Sequence, residues 1–102
     1  MSDKVFIAYV GNPDFHDGTV SRVAAEGKTA LVVVKGYSGR VHVVDFEGVE
    51  EIQKNTPEGM LLYSLSEMQA TSPLRKFVFT NSDDDDPRSL SVLATDFRIL
   101  PQ

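Results

Sequence analysis

The stretch TVSRVAAEGKTALVVVKGYSGRVHVVDF, residues 19–46, decides the fold. It holds three runs in which apolar and often β-branched side chains alternate with period two, separated by Gly27-Lys28 and by GYSG at 36–39. Because glycine tolerates the positive φ of a tight reversal, both breaks favour hairpins. The stretch therefore predicts three consecutive antiparallel strands. The middle run, 29–35, is apolar on both faces, which is typical of a strand inside a sheet or beneath a helix.

The opening run, VFIAYV at 5–10, carries two conflicting signals. Its composition is that of a strand, but Phe6, Tyr9 and Pro13 fall at helical spacing. Ser2 or Asp3 can act as an N-cap, and a glycine followed two residues later by Pro13 is typical of a helix end. We therefore predict a short N-terminal helix.

The second half of the chain continues the strand pattern. MLLYSLSEM at 60–68 fits either a helix or a strand, and we favour the strand. RKFVFTN at 75–81 alternates clearly, and SLSVLATDFRIL at 89–100 is the longest strand candidate. The predicted fold class is α+β and mainly β, with a short N-terminal helix plus about six antiparallel strands in a meander-like curved sheet. We expect a single domain over residues 1–102.

Composition excludes several classes of protein. The chain is 41% apolar and 25% charged, as in ordinary globular domains, and it contains no cysteine. Disulfides, thiolate zinc sites and a cysteine nucleophile are therefore excluded. No run approaches the ~20 apolar residues of a membrane helix, and the short opening run does not fit a secretory signal. We expect a cytoplasmic protein without a membrane association.

The charge pattern argues against nucleic-acid binding. The net charge is -5, from 10 basic and 15 acidic residues, and four of the acids form the run Asp83 to Asp86. Nucleic-acid binders gather Lys and Arg on one face. Here the basic residues are scattered, with Arg75-Lys76 as the only adjacent pair.

The residues best suited to chemistry are His16 and Asp17, in FHDG at 15–18. Imidazole titrates near neutral pH, and a carboxylate can orient it. A second pair, His42 and Asp45, is three residues apart in a predicted strand, so its members should lie on opposite faces. If the fold brings His16, Asp17 and His42 together, they can bind a divalent metal.

A structural interpretation of these residues is favoured over the catalytic one. Asp14 and Asp17 suit turns and caps, Gly18 permits an unusual dihedral, and Phe15 can anchor the turn in the core. A histidine beside an aspartate is often a hydrogen-bonded strut. We therefore expect no catalytic residue, and we interpret residues 12–20 as a turn that begins a strand.

The acidic segment NSDDDDPR at 81–88 suggests a calcium loop, since hard cations bind carboxylates. It lacks the spaced acids and the distal glutamate of an EF-hand. The sequence predicts a solvated hairpin loop between two strands and leaves cation binding open.

FHDGTVSRV and the later VDFEGVEEI resemble a group of small bacterial proteins of unknown function, some of which resemble immunity proteins of contact-dependent toxin systems. The resemblance spans residues 15–99. The positions that carry it are Phe15, His16, Asp17, Phe46, Gly48 and Val49. It implies a small, mainly β cytoplasmic domain that works by binding, and it supplies no catalytic residues.

Two functions follow as expectations. The favoured one is a non-enzymatic protein-interaction module, immunity-protein-like, which binds a protein partner or a second copy as a homodimer and needs no cofactor. It is motivated by the absent catalytic constellation, the acidic surface and strand edges that can pair with another chain. The alternative is a small ligand- or metal-binding protein or hydrolase with a site around His16, Asp17 and His42, which requires these side chains to converge.

Overall fold

The computed structural model describes residues 5–83 and 85–101, and nearly all of their regular structure is β. Within these residues the strands are β1 (Phe6–Tyr9), β2 (Thr19–Glu26), β3 (Thr29–Lys35), β4 (Val41–Glu47), β5 (Glu51–Asn55), β6 (Leu62–Met68), β7 (Arg75–Asn81), β8 (Ser89–Ala94) and β9 (Asp96–Pro101). A single 3₁₀ turn, Pro13–Phe15, is the only helical element among them.

The strands form two antiparallel sheets. One has five strands in the order β1-β6-β7-β8-β5, and the other has four in the order β2-β3-β4-β9. The three strands predicted from residues 19–46 are β2, β3 and β4, and each pairs with the next. The prediction that β3 lies inside a sheet is confirmed. Segment 60–68 is also a strand, from residue 62 onward.

The core lies between the inward faces of the two sheets. Phe46 of β4 packs on Phe77 of β7 with 5.3 Å between ring centroids, and Phe79 and Phe97 complete an aromatic cluster around it. Phe15 from the 3₁₀ turn is also fully buried. Burial of these rings is the main stabilising term, since each fully buried large apolar side chain contributes ~1.5–3 kcal/mol.

The predicted α+β fold with an N-terminal helix is wrong. Residues 6–9 form β1, which pairs antiparallel with β6, with Phe6 opposite Met68 and Tyr9 opposite Ser66. The register shifts between Phe6 and Ala8, so Ile7 is the extra residue of a β-bulge. The bulge places two aromatic residues, three apart, on the same face of the sheet. This imitates helical spacing and explains the error.

The predicted count of about six strands in one curved sheet is also wrong. The long candidate at 89–100 divides at Thr95, with β8 in the five-stranded sheet and β9 in the four-stranded sheet. Before Thr95 the residues that face the core have even numbers, as Val92 does. After Thr95 they have odd numbers, as Phe97 does. Thr95 is held at this crossing by hydrogen bonds from its N–H and its hydroxyl to the carbonyl of Glu47, both 3.1 Å.

A corner joins the two sheets next to the 3₁₀ turn. Backbone bonds run from Asp17 to the Leu62 carbonyl and from Leu62 to the Gly18 carbonyl, at 2.9 and 2.8 Å, and Thr19 bridges to Leu61. The corner fixes FHDG against the start of β6. Within residues 5–83 and 85–101, no helix is long and apolar enough to cross a membrane.

Candidate functional site

The segment that contains His16 and Asp17 is a compact turn. The Asn12 side chain caps the 3₁₀ turn by accepting from the Asp14 N–H at 2.8 Å. The unusual dihedral that the sequence assigns to Gly18 lies instead at Asp17, with φ 65°. Gly18 is required for a different reason, because a Cβ there would lie 2.8 Å from the carbonyl oxygen of Lys35.

His16 is exposed and has one fixed partner. Its Nδ1 lies 3.1 Å from the backbone oxygen of Tyr63. Because a carbonyl only accepts, Nδ1 is the donor in this bond. Nε2 lies 3.8 Å from the Asp17 carboxylate, and both side chains are about half exposed. The pair can bind a polar group at the surface, but no third partner of the kind that catalysis requires lies beside it among residues 5–83 and 85–101.

His16 stands at the end of a line of exposed aromatic rings that we call the aromatic row: Phe6, Tyr9, Tyr63 and His16. Successive ring centroids are 4.7, 6.0 and 5.2 Å apart. Such tilted and edge-to-face arrangements stabilise aromatic pairs. Tyr63 raises the pKa of Tyr9, so the Tyr9 phenol stays neutral and can act as a hydrogen-bond donor and acceptor at physiological pH. The row combines apolar area with polar tips, a composition typical of binding surfaces.

His42 belongs to a separate arrangement, the Asp14 latch, made of Asp14, Ser38 and His42. His42 Nε2 donates to Asp14 Oδ2 at 3.0 Å, the Ser38 hydroxyl donates to the same oxygen at 2.7 Å, and the Ser38 N–H donates to Oδ1 at 2.9 Å. His42 is buried beside the Phe15 ring. The latch ties the 3₁₀ turn to the β3–β4 hairpin.

The latch contains the residue types of a hydrolytic triad in the wrong order. The aspartate lies between Ser38 and His42, so the serine hydroxyl donates to a carboxylate and not to an imidazole. A serine nucleophile needs the histidine as its base. This geometry therefore supports a structural role for the latch.

The buried imidazole of His42 is only half satisfied. Its Nδ1 has no hydrogen-bond partner among the described residues. A buried polar atom without a partner costs ~1–3 kcal/mol. The hydrogen bond from Nε2 to Asp14 therefore offsets part of the cost of burying this ring.

We expect the latch to make the protein acid-sensitive. The hydrogen bonds from His42 and then from Ser38 lower the pKa of Asp14 from 3.8 to about 2. A lowered pKa means that the unfolded chain binds the proton first, so the stabilisation is complete above about pH 4 and is lost as the pH falls toward about 2. The free energy of unfolding, measured by urea denaturation across this pH range, should fall less steeply for Asp14→Asn than for the unchanged protein. Equal slopes would contradict the latch.

The predicted site residues His16, Asp17, His42 and Asp45 do not converge on one site. His42 and Asp45 lie on opposite faces of β4, as predicted, and Asp45 accepts from Arg98 at 2.9 Å. In the part of the chain that the structure describes, no three His, Cys, Asp or Glu side chains gather as a metal-binding group would. His16, Asp17 and His42 therefore form no such group.

The acidic loop is organised by its own side chains. Asp83 accepts from the Asp85 N–H at 2.9 Å, and the carboxylate of Asp86 accepts from Arg88. Position 84 lies outside the described residues. As predicted, the segment connects two neighbouring strands, β7 and β8.

A groove of about 320 Å³ lies on the outward face of the five-stranded sheet, where hydroxyl and amide side chains surround Lys76 and Arg88. It includes neither histidine, so the alternative of a ligand site around His16 and His42 gains no cavity from it.

Sequence reasoning misses the main contacts of this region. It interprets Asp14 as a turn residue and does not single out Tyr9 and Tyr63. No local signal reveals them, because Asp14 meets His42 across 28 positions and His16 meets Tyr63 across 47. Comparison with known proteins finds no family model, curated protein or solved structure that matches the chain.

Proposed function

We propose that the chain is a non-enzymatic protein-binding domain that captures its partner at the β1 edge of the five-stranded sheet. The observation that carries the proposal is the character of this edge. Among the residues that the structure describes, β1 pairs with β6 on one side only, and Phe6, Ile7 and Tyr9 are each about half exposed. A sheet edge presents unpaired N–H and C=O groups that an extended segment can bind by strand addition.

The other edge strands carry the charges that discourage such pairing. β5 has Glu51 and Lys54, β2 has Arg22 and Glu26, and β9 has Asp96 and Arg98. β1, with the sequence FIAY, has no charge at all. Natural sheets protect their edges with charged residues, short strands or bulges. β1 is short and has a bulge at Ile7, but it is the edge strand without a charge, and exposed apolar surface of this kind is typical of a surface that another chain covers.

The neighbouring aromatic row supports specificity. It continues from β1 across the start of β6 and ends at His16, beside the Asp17 carboxylate. Aromatic rings bind cationic side chains, and the protein has a net charge of -5. Complementary charge also speeds encounter. A basic partner is therefore favoured, which is compatible with the binding role that the resemblance to immunity-protein-like domains implies.

The test places a charge on the β1 edge. The protein and its Ile7→Lys variant are used as baits in extract of their own cell, with Gln53→Lys on the exposed β5 edge as the matched control. We expect one specific partner on the unchanged protein and on Gln53→Lys, with at least ~10-fold less on Ile7→Lys, measured by quantitative mass spectrometry.

Two results would contradict the proposal. One is equal retention of the partner by all three baits, which would move the binding surface away from β1. The other is the absence of any partner that the unchanged protein enriches. Circular dichroism of each bait shows whether the variants are folded.

A further inference from the structure

The outward face of the four-stranded sheet has an apolar centre. The register places side chains from all four strands together there, and they are Ala24, Leu31, Val33, Val41, Val43 and Leu100. Leu31 is 42% exposed, and Val41 and Leu100 are exposed to a similar degree. Among the described residues, no element covers this face. Contiguous exposed apolar surface of this kind marks an interaction site.

The apolar centre is flanked by opposite charges at the two ends of the strands. Lys35 and Arg22 lie toward one end, and Glu26 and Glu47 lie toward the other. None of these four makes an ion pair within the described residues, whereas the charges nearer the centre, Asp45 and Arg98, neutralise each other. Lys35 at the end of β3 and the acidic end of the sheet are about 20 Å apart along the strand direction.

A face with this charge gradient is complementary to itself. If a second copy is turned by a two-fold axis that runs across the strands in the plane of the interface, each basic end meets an acidic end while the apolar centres coincide. Closed two-fold dimers are the commonest oligomers, and their interfaces are self-complementary in this way. A hollow of about 250 Å³ beside Leu31, over the small Ala24, leaves room for a side chain of the second copy.

We propose that this face is a homodimer interface, on which a second copy packs face to face with its strands reversed. The arrangement buries the apolar centre between two sheets, as in other sheet-on-sheet packings. It is independent of the protein-binding function proposed above, because β1 lies in the other sheet and stays accessible. The dimer would therefore present two β1 edges to its partners.

The face is small, so the dimer should be weak. Four strands of this length cover roughly 20 by 20 Å, below the area of a standard stable interface. Sedimentation equilibrium from about 20 μM to 1 mM covers the range expected of such an interface. We expect a reversible monomer–dimer equilibrium at low salt, weakened by added salt because exposed charges are screened. A strict monomer at every concentration would overturn the proposal.

A charge in the apolar centre should break the dimer. Leu31→Asp is expected to weaken dimerisation at least ~10-fold, because it buries an unpaired carboxylate between the sheets. Leu61→Asp is the matched control, since Leu61 is also 42% exposed but lies outside this face. A dimer that Leu31→Asp leaves intact, or that Leu61→Asp weakens equally, would place the contact elsewhere and overturn the proposal.

A charge swap tests the orientation. Lys35→Glu alone and Glu47→Lys alone should each weaken the dimer, because each puts like charges opposite one another. The double variant should recover most of the lost affinity, since its two ends are again opposite in sign. If the double variant loses as much dimerisation affinity as the two single variants lose together, the reversed packing is wrong. Capture of a different apolar protein or of lipid by a monomer would equally overturn the homodimer.

Discussion

Replacing Phe46 by alanine is expected to lower the free energy of unfolding by about 3–5 kcal/mol, a large fraction of the total stability of a small domain. The Phe46 ring is fully buried and touches aromatic rings of both sheets, with centroids of Phe77 and Phe97 at 5.3 and 6.4 Å. Its removal leaves a cavity at the point where the sheets meet. Urea denaturation at neutral pH measures the change.

Tyr37→Ala is the control for this prediction. Tyr37 is 76% exposed in the β3–β4 hairpin, so its loss should change the free energy of unfolding by less than ~0.5 kcal/mol. If Phe46→Ala were as mild as Tyr37→Ala, the face-to-face packing of the two sheets would be wrong.

Gly36→Ala is expected to lower the free energy of unfolding by about 1–3 kcal/mol, because the added methyl group overpacks its surroundings. A methyl group at this position would overlap the Asp14 carboxylate and would lie 3.0 Å from the Asp14 backbone oxygen. That backbone oxygen cannot withdraw freely, because it accepts from the Tyr37 N–H at 2.9 Å. The variant should therefore open the Asp14 latch and lose part of the acid sensitivity that the latch confers.

A double-mutant cycle with Asp14→Ala identifies the cause. In the Asp14→Ala background, Gly36→Ala should lower the free energy of unfolding clearly less than it does in the unchanged protein, because the carboxylate that the new methyl group displaces is already absent. Additive effects would show that Gly36 is required for some other reason. Gly27→Asn is a useful control, because Gly27 has φ 60°, a conformation that asparagine tolerates, and no neighbour near its Cβ position.

The strands are predictable where one local period runs unbroken. β3 and β4 alternate over a whole run between clear turns, and the sequence places both correctly. It also places β2, because the turn after β2 is clear, although a bulge between Val20 and Arg22 shifts the alternation within that strand. The prediction fails at β1, at β5, which it does not place as a strand, and at Thr95. The failures at β1 and Thr95 have one physical origin. A bulge at Ile7 and a crossing at Thr95 each insert a residue that shifts the alternation of apolar and polar side chains. The shifted pattern looks helical at β1, and at Thr95 it makes two strands look like one continuous strand.

The candidate site is only partly predictable. The preference for a turn at residues 12–20 comes from local turn chemistry, and the structure does form a turn there. The partner of each histidine does not follow from the sequence. The acid nearest to His42 within its own strand is Asp45, three residues away, but the structure bonds the imidazole to Asp14.

The sequence by itself determined antiparallel strand pairing, the hairpins of residues 19–46, the absence of thiol chemistry and the acidic balance of charge. These depend on side-chain period, turn residues and composition, all of which are local. Only the tertiary structure decided that there are two sheets, that Asp14 holds His42, and that β1 and the face around Leu31 are exposed. Those features depend on contacts between residues far apart in the chain, and alternation specifies two faces for a strand without specifying which neighbour covers each.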